Sequence, residues 1–598
     1  MAGILGIVGS SKAPEVFPEM LRWARLYPWY ETQVSGNHLA SCGLEGLGAC
    51  VTRGTLTLVF YGEIFNAPQP GTNSAASWLL DGVQARGRDF LADVDGRYQA
   101  ALWDEAARKL TLFCDPFATR PLYWAQTSDG LLFAPQIKTL LQNPDVGRSL
   151  NQEALVDFFT WGHYLHTHTS VQGIELLPPA GFYSWDAASG TLTKERYFRF
   201  VSSDVSKGAS TVEETAAAFR ESVLQQTLRM ADLNAEAETS GLGISLSGGL
   251  DARSILGMIP NSLQENMTSV ALGVPGSADH LLATQLAEMA ATHHFNYELN
   301  TDFLARYDES LTEMVRLTDG QYLSASIVIP TLDFYRQQGI RTLLRGHAGE
   351  LFHMSKAYAF SMSESDRSAM ADGSLSARIW AFMHLQAYML DGVKSDLLLG
   401  IPRSECTEIA RASLNRAMEE TGEEREGAIW KLYLSQRVFR EIPLSMRKFD
   451  SHVNVRLPFL NRALVETVFR LPTSERMGET IQRALLKKWR PDFLRVRNVN
   501  TGTFIGAGAF RQKLASLQHR ILAKLNVPGY QPYEKMGLWL RRELKPLVRE
   551  LLLDGLRDRK IFHPDTISDV VRTHNEGQNH TYLILALMIL EKQMRFLN

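Results

Sequence analysis

The stretch Ile244–Asp251, with the sequence ISLSGGLD, joins an apolar strand to a turn that contains two glycines. In a turn of this kind, backbone N–H groups and a serine hydroxyl bind phosphate oxygens, and the aspartate holds a divalent cation against them. The glycines let the backbone approach the phosphates and adopt positive φ angles without a Cβ clash. The lysine of a G-x-x-x-x-G-K-S/T loop is missing, so the stretch predicts a phosphate site of another type.

Length and composition predict two domains in an ordinary globular chain. The 598 residues are too many for one core, and we expect the domains to span residues 1–200 and 210–598. The net charge of -3 gives no electrostatic reason to expect binding to nucleic acid or to a membrane. Four cysteines without paired metal-ligand spacing favour a reducing, cytoplasmic location.

The two halves of the chain differ in the pattern of their elements. The first half has short β-type runs such as Gly3–Val8 and Lys109–Cys114, together with helical stretches such as Ala75–Arg86. This pattern predicts a layered α+β domain. The Ser-rich segment Ser202–Thr211 is the predicted linker between the halves.

Strands and helices alternate in the second half from Val212 onward. The strands Ile244–Leu246 and Thr268–Leu272 lie between amphipathic helical stretches, which predicts a doubly wound α/β sheet of parallel strands. Ligands bind beyond the carboxyl ends of the strands in such sheets, where the glycine turn would lie. Long helices are predicted towards the end of the chain, for example over Glu424–Val438 and Leu538–Arg557.

Several segments resemble, in the same order, the glutamine-dependent (class B) asparagine synthetases and their relatives. Ser269–Asp279 is similar to the strand and loop that hold adenine, and Asn454–Asn461 resembles the E-V-R-x-P-F-L-D segment with asparagine at both acidic positions. Four segments resemble the N-terminal glutaminase domain: Gly62–Asn66, Asp115–Tyr123, Ile137–Leu140 and Leu176–Gly181. The resemblance implies a glutaminase-like (Ntn-type) sandwich followed by an ATP-pyrophosphatase synthetase domain with C-terminal helices.

The resemblance also implies ATP and Mg²⁺ as cofactors of an amide-forming ligase that releases AMP and pyrophosphate. A carboxylate would attack the α-phosphorus of ATP, and an amine would then capture the acyl-adenylate. The residues implied for nucleotide binding are Leu246, Ser247, Gly248, Gly249, Leu250, Asp251, Leu272 and Gly346.

The glutaminase half departs from the family pattern at its reacting residues. The family's N-terminal cysteine nucleophile is Ala2 here, and Tyr61 stands where an asparagine helps to form the oxyanion hole. The arginine-containing stretch that would bind the carboxylate of glutamine is not recognisable around Asn37–Leu47. An engineered replacement would explain Ala2 alone, whereas several losses together predict a domain that has lost glutamine hydrolysis and remains as a scaffold or a docking surface.

The second departure lies in Arg345–Glu350, which corresponds to the family's G-E-G-x-D-E run. Glu350 replaces the aspartate that would share magnesium with Asp251, although another alignment matches Glu350 to the second acidic residue. His347 stands near the acceptor and is the predicted general base for the attacking amine. In the alternative interpretation, His347 only caps the end of the strand.

A third departure concerns the cation that stabilises the adenylate. The family's R-x-K-x-x-F run resembles Arg495–Asn500, which places Arg497 at the lysine position. An arginine would keep the charge and bind the α-phosphate with two N–H groups, but it could not act as an acid. Lys487 and Lys488 are alternative cations, and all of these basic residues could instead be solvated at the surface. For His163, His166 and His168, no zinc site is expected because we expect no neighbouring acidic ligands.

Family members that lack glutamine hydrolysis resemble lasso-peptide macrolactam cyclases or β-lactam synthetases. We favour a lasso cyclase because helical sequence continues beyond the last family motif and because the tyrosine expected of a β-lactam former is absent. The substrate would be a core peptide, with a leader peptidase and a precursor-recognition protein as partners. The alternatives are a β-lactam synthetase-like enzyme, an ammonia-dependent asparagine synthetase-like enzyme, and a catalytically idle nucleotide-binding scaffold.

Overall fold

The computed structural model describes residues 1–199, 208–233, 241–352, 389–420, 432–476 and 478–597. Most of the predicted linker Ser202–Thr211 and the first part of the predicted helix Glu424–Val438 lie outside the described residues. The domain boundaries between residues 200 and 210 therefore stay a prediction.

The first part of the chain forms two antiparallel sheets of six strands each. The strands are β1 Gly3–Val8, β2 Glu31–Ser35, β3 Leu39–Gly43, β4 Gly48–Arg53, β5 Leu56–Ile64, β6 Gly96–Asp104, β7 Lys109–Cys114, β8 Tyr123–Gln126, β9 Leu131–Ala134, β10 Glu175–Leu176, β11 Gly181–Asp186 and β12 Leu192–Arg196. One sheet has the order β10-β8-β9-β1-β3-β2, and the other has the order β12-β11-β7-β6-β5-β4.

The sheets pack face to face because their strands alternate buried residues between two cores. Within β5, Val59 and Tyr61 belong to the core between the sheets, whereas Leu58 and Phe60 belong to the outer core. The helix Thr72–Arg86 covers this outer face, and the helix Ala13–Ala24 packs on the other sheet. The prediction of a layered glutaminase-like sandwich is confirmed.

The second part contains one parallel sheet of five strands in the order β15-β14-β13-β16-β17. These strands are β13 Leu242–Ser245, β14 Thr268–Gly273, β15 His293–Glu298, β16 Thr342–Leu344 and β17 Asn454–Arg456. The order reverses between β13 and β16, so the loops that follow these two strands meet at one edge of the sheet. The predicted parallel sheet is confirmed, and its reversal point determines where a ligand would bind.

Helices surround both parts. In the first part the α-helices are Ala13–Ala24, Thr72–Arg86, Arg88–Leu91, Ile137–Leu140 and Gln152–Trp161. In the second part they are Val212–Leu233, Leu250–Met258, Asn261–Gln264, Ala278–Ala290, Thr301–Ala305, Tyr307–Thr318, Thr331–Gln337, Arg403–Glu419, Phe439–Asp450, Arg462–Arg470, Thr480–Trp489, Ala509–Lys524, Met536–Arg541, Lys545–Val548, Pro564–Asn575 and Thr581–Leu597. Among the described residues, none of these helices combines the length and the apolar character needed to span a bilayer.

The prediction of one long helix over Leu538–Arg557 is wrong. The chain there forms the short helix Met536–Arg541 and then a new helix that begins at Lys545. Pro546 explains the break because it lacks a backbone N–H and is tolerated only in the first turn of a helix.

Candidate active site

The glycine turn lies at the reversal point of the parallel sheet, as its sequence predicts. It leads from β13 into the helix Leu250–Met258, whose first turn contains Asp251. The turn borders a cavity of about 610 Å³ between the loops that follow β13 and β16. Nine of the predicted site residues line this cavity: Leu246, Ser247, Gly249, Leu250, Asp251, Leu272, Gly346, His347 and Glu350.

Gly248 does not line the cavity, and the positive φ angles predicted for the two glycines are wrong. Neither Gly248 nor Gly249 adopts a positive φ angle. Gly248 is instead required by close packing, because a Cβ there would lie 2.8 Å from Leu282 Cδ1 and 3.0 Å from Val499 Cβ. Its N–H donates to Asp279 Oδ1 at 3.1 Å, and its carbonyl accepts from the Val499 N–H at 3.2 Å. These contacts fix the shape of the turn before any ligand binds.

The loop after β16 brings the two predicted metal ligands to the same cavity. A Cβ on Gly349 would lie 2.1 Å from the carboxyl carbon of Asp251, so the backbone beside Glu350 packs directly on that carboxyl group. Ala348 in this loop has a φ of 67°, which is uncommon for a residue with a side chain. Backbone strain of this kind is often found at functional sites. Both carboxyl groups are hard oxygen donors, which fit a divalent cation such as Mg²⁺.

The surroundings of His347 make it a poor proton acceptor. Burial lowers the pKa of His347 well below its ordinary value, and the positive charges of Arg345 and Lys448 lower it further. His347 is therefore neutral at pH 7 and holds a proton weakly, so it does not have the pKa expected of a general base for an ammonium group. The catalytic role of His347 stays a prediction that its electrostatic environment disfavours.

Two cations at the cavity were given no role on sequence grounds. Arg345 donates from Nη1 to Ser245 Oγ at 2.7 Å and lies over the ring of Phe449 at 4.1 Å. Lys448 lies on the buried helix Phe439–Asp450, is 3% exposed, and lines the cavity. An Arg-Lys pair in a helix usually indicates a solvated surface, so only the buried position of this helix could reveal Lys448.

The three cations named from the sequence do not line this cavity. The Nη1 group of Arg497 donates to the Tyr530 hydroxyl at 3.3 Å, and its guanidinium lies over the Tyr530 ring. Lys487 and Lys488 border a separate cavity beside the helix Thr480–Trp489. Their proposed roles at the adenylate stay untested predictions, and the described arrangement places Lys448 at the cavity instead.

Ala2 and Tyr61 lie among tightly packed side chains in the core of the sandwich. Tyr61 is fully buried, its hydroxyl accepts from the Leu44 N–H at 3.0 Å, and the Arg120 guanidinium lies over its ring at 5.0 Å. A Cβ on Gly43 would lie 2.5 Å from the Tyr61 hydroxyl oxygen, so the phenol fills the space beside β3. Ala2 lies in the same core and offers no nucleophile.

The expectation that the histidine cluster lacks acidic neighbours is wrong. Ligand atoms of Glu153, Asp157 and His168 lie within 4.8 Å of one another, because the helix Gln152–Trp161 folds back beside the histidine. However, Glu153 forms an ion pair with Arg416, and burial raises the pKa of Asp157 well above its ordinary value. A protonated carboxyl and one already paired with arginine are poor ligands for a metal ion.

Comparison with known families matches both parts of the chain. Residues 37–198 match the glutamine amidotransferase domain, and residues 237–595 match the asparagine synthase family. A solved structure of the allosteric regulatory enzyme of purine biosynthesis aligns over 49% of this chain and 80% of that chain, with 11% identity and a TM-score of 0.24. A score this low supports no conclusion.

Curated relatives align with parts of the chain only. The chain is 28% identical over 125 residues to the glutamine-hydrolyzing asparagine synthetase 2 of Bacillus subtilis, which covers 19% of this chain and 17% of that protein. It is 25% identical over 297 residues to the glutamine-hydrolyzing asparagine synthetase of Homo sapiens, which covers 46% of this chain and 49% of that protein. The chain thus matches half or less of the length of these relatives. Because the asparagine synthase match extends over more than half of its residues, the chain belongs to the asparagine synthase family.

Proposed function

We propose that this protein is an ATP-dependent carbon–nitrogen ligase that activates a carboxylate as an acyl-adenylate, releases pyrophosphate, and joins the acyl group to an amine. The observation that carries the proposal is the ISLSGGLD turn, which lies at the reversal point of a parallel sheet and lines a cavity. Glycine turns at such points bind phosphates in other doubly wound proteins.

The residues around the cavity fit ATP with magnesium. The start of the helix Leu250–Met258 and the Ser247 hydroxyl would bind phosphate oxygens, and Leu246 and Leu272 offer apolar surface to the adenine. Asp251 and Glu350 would hold Mg²⁺, which neutralises phosphate charge when it is bound. Holding the carboxylate and the amine in one cavity makes their condensation effectively intramolecular.

The amine is proposed to come from the substrate and not from glutamine. The relatives are named as glutamine-hydrolyzing enzymes, whereas this chain has Ala2 without a thiol and a buried Tyr61 in the same core. Without a nucleophile, the sandwich cannot release ammonia from glutamine by the thioester route. We therefore favour closure of a macrolactam within a lasso core peptide, whose own N-terminal amine attacks an activated Asp or Glu side chain. A leader peptidase and a precursor-recognition protein would then act with this enzyme.

The test combines nucleotide products with the mass of the peptide. The purified protein is incubated with ATP, Mg²⁺ and peptides that have a free N-terminal amine and one Asp or Glu side chain. We expect AMP and pyrophosphate, together with a peptide product lighter by one water. Formation of ADP would contradict the adenylation chemistry. Binding of nucleotide without pyrophosphate release from any carboxylate would instead support an idle nucleotide-binding scaffold.

An ammonia-dependent asparagine synthetase-like enzyme is the second candidate, because both named relatives are asparagine synthetases. L-aspartate with ammonium would then give asparagine, AMP and pyrophosphate, while L-glutamine would not replace ammonium. A small β-amino acid substrate that loses one water would point to a β-lactam synthetase-like reaction.

A further inference from the structure

Lys448 is a buried lysine that faces the cavity and has no carboxylate partner among the residues that the structure describes. It belongs to the helix Phe439–Asp450 and is 3% exposed. Its Nζ lies 4.7 Å from the centre of the Tyr322 ring, and no described residue forms a hydrogen bond or an ion pair with it. An ammonium group that is buried without a counter-ion is costly, so the neutral amine is favoured there.

The charged groups around the cavity support this state of Lys448. The nearby cation is Arg345, and the neutral His347 faces the cavity from the same loop after β16. The acidic groups that line the same cavity are Asp251, Asp279, Glu350 and Glu534. None of these carboxyl groups is ion-paired with Lys448 in the part of the chain that the structure describes. Burial lowers the pKa of Lys448 to about 7, and Arg345 acts in the same direction.

The next two residues of its helix, Phe449 and Asp450, hold Lys448 in position. Two residues further on, Asp450 pairs with Arg97 of the sandwich at 2.6 Å, and the neighbouring Phe449 packs under Arg345. This arrangement holds the amine in a fixed place at the cavity wall. A proton acceptor in a fixed place is what acyl transfer to an amine requires.

We infer that Lys448 is the catalytic residue that takes the proton from the attacking amine, an inference that rests on the proposed ligase function. The neutral Nζ of Lys448 accepts one proton from the substrate ammonium group. The freed nitrogen forms a bond to the acyl carbon, and the bond between that carbon and the AMP oxygen breaks. The second proton on the nitrogen goes to the AMP phosphate as the amide forms. His347 would then shape and polarise the site without carrying the proton.

The test compares two amines with different needs for a base. Lys448→Met and Lys448→Arg are assayed for pyrophosphate release and for product formation with either the peptide's own N-terminal amine or added hydroxylamine. Hydroxylamine is largely unprotonated at neutral pH and needs no base before it attacks. We expect both variants to lose about 100-fold or more in peptide closure, since general base catalysis contributes roughly 10²–10⁴-fold. Hydroxamate formation should stay close to the wild-type rate.

The pH dependence of peptide closure separates a catalytic from a structural role of Lys448. A purely structural role would leave the pH profile unchanged. Peptide closure by the wild-type protein should rise as the pH passes through about 7, where Lys448 loses its proton, and the remaining activity of Lys448→Met should lack this rise. Equal loss with both amines, or an unchanged profile, would overturn the assignment to Lys448 while leaving the ligase function intact.

A measurement without substrate keeps the inference testable if no carboxylate is activated. Methylation of lysines with formaldehyde and cyanoborohydride, mapped by mass spectrometry, should reach half of its maximum at Lys448 near pH 7. Labelling that rises only at the pH of ordinary lysines would contradict the inference. If Lys448 is labelled near pH 7 but no carboxylate gives pyrophosphate, the proposed function fails and the unusual lysine remains.

Lys138 provides the matched control because it is also buried, at 6% exposure, but has partners. It donates to the Arg316 carbonyl and lies 3.8 Å from Asp319, outside the residues that line the cavity. Lys138→Met should lower stability but leave the ratio between the hydroxylamine and peptide rates unchanged. A change in this ratio in the control would mean that the assay reports folding and not proton transfer.

Discussion

Charged residues of the sandwich and of the cavity at the parallel sheet differ in whether they form ion pairs. In the sandwich, the family-like residue Glu63 pairs with Arg456, with 3.0 Å between Glu63 Oε2 and Arg456 Nε, and Arg97 pairs with Asp450. At the cavity, Lys448 has no counter-ion among the described residues. The comparison indicates that charges of the glutaminase-like region join the two parts of the chain, whereas Lys448 at the cavity has no such partner among the described residues.

The pKa of Glu63 reflects its contacts with the second part of the chain. Burial alone would raise the pKa of Glu63, but the charge and hydrogen bonds of Arg456, with a bond from Asn454, lower it to about 2. This carboxylate is therefore ionised at any physiological pH. Because Asn454 and Arg456 lie in β17, the sandwich is fixed directly to the parallel sheet.

The largest expected effect is at the cavity. Asp251→Asn removes one of the two carboxylates proposed for Mg²⁺ and should abolish ATP-dependent pyrophosphate release. The assay is pyrophosphate release with ATP, Mg²⁺ and any active carboxylate. Thermal unfolding of the variant should stay close to wild type, which separates loss of chemistry from loss of fold. Release at half the wild-type rate or more would remove Asp251 from the metal site.

The next effect is on the ion pair between the two parts. Arg97→Ala leaves buried Asp450 with the more distant Arg120, whose Nη1 lies 3.5 Å from Asp450 Oδ1, as its cation among the described residues. Breaking a buried pair in this way should cost about 3–5 kcal/mol of unfolding free energy. Chemical denaturation measures the cost, and the double variant Arg97→Ala/Asp450→Ala should lose less than the sum of the single changes. A cost below about 1 kcal/mol would mean that this contact does not join the parts.

Local patterns of sequence predicted several strands and the position of the glycine turn at the reversal point of the sheet. The apolar run Gly3–Val8 is buried along its whole length, and its predicted bounds are those of β1. Asp251 and Glu350 each follow a buried strand, and carboxyl ends of neighbouring parallel strands meet, so both reach one cavity. These features depend on short segments and on the rules of sheet topology.

Features that depend on distant contacts could not be predicted. Arg497 stacks on Tyr530, which lies 33 residues further along the chain. Its side chain therefore lies outside the cavity, although the nearby Asn500 lines it. In sequence, Lys448 resembles a solvated helix residue. In the structure its helix is buried and contacts Arg97 of the sandwich through Asp450. The acidic neighbours of His168 were missed for the same reason.

A smaller effect tests the cost of burying Lys448 without a partner among the described residues. Its folded-state pKa of about 7 is below the ordinary value of 10.5, so the unfolded chain binds more protons between these two values and wild-type stability rises with pH across that window. Lys448→Met removes the burial cost, which is largest at pH 7 and below. We expect its unfolding midpoint to exceed that of wild type by a few degrees at pH 6, with a smaller difference at pH 9. A variant that is equally less stable at both pH values would contradict an unpaired buried charge.

The smallest effect concerns Tyr61 in the core of the sandwich. Tyr61→Phe keeps the ring beside Gly43 and under Arg120 but removes the hydroxyl that accepts from the Leu44 N–H. Leu44 is only half-buried, so water can replace the lost partner, and the cost should be about 0.5–1.5 kcal/mol of unfolding free energy. Because the Tyr61 side chain is proposed to fill space and to take no part in the reaction, pyrophosphate release and product formation should be unchanged. A loss of product formation at unchanged stability would show instead that the sandwich still takes part in the chemistry.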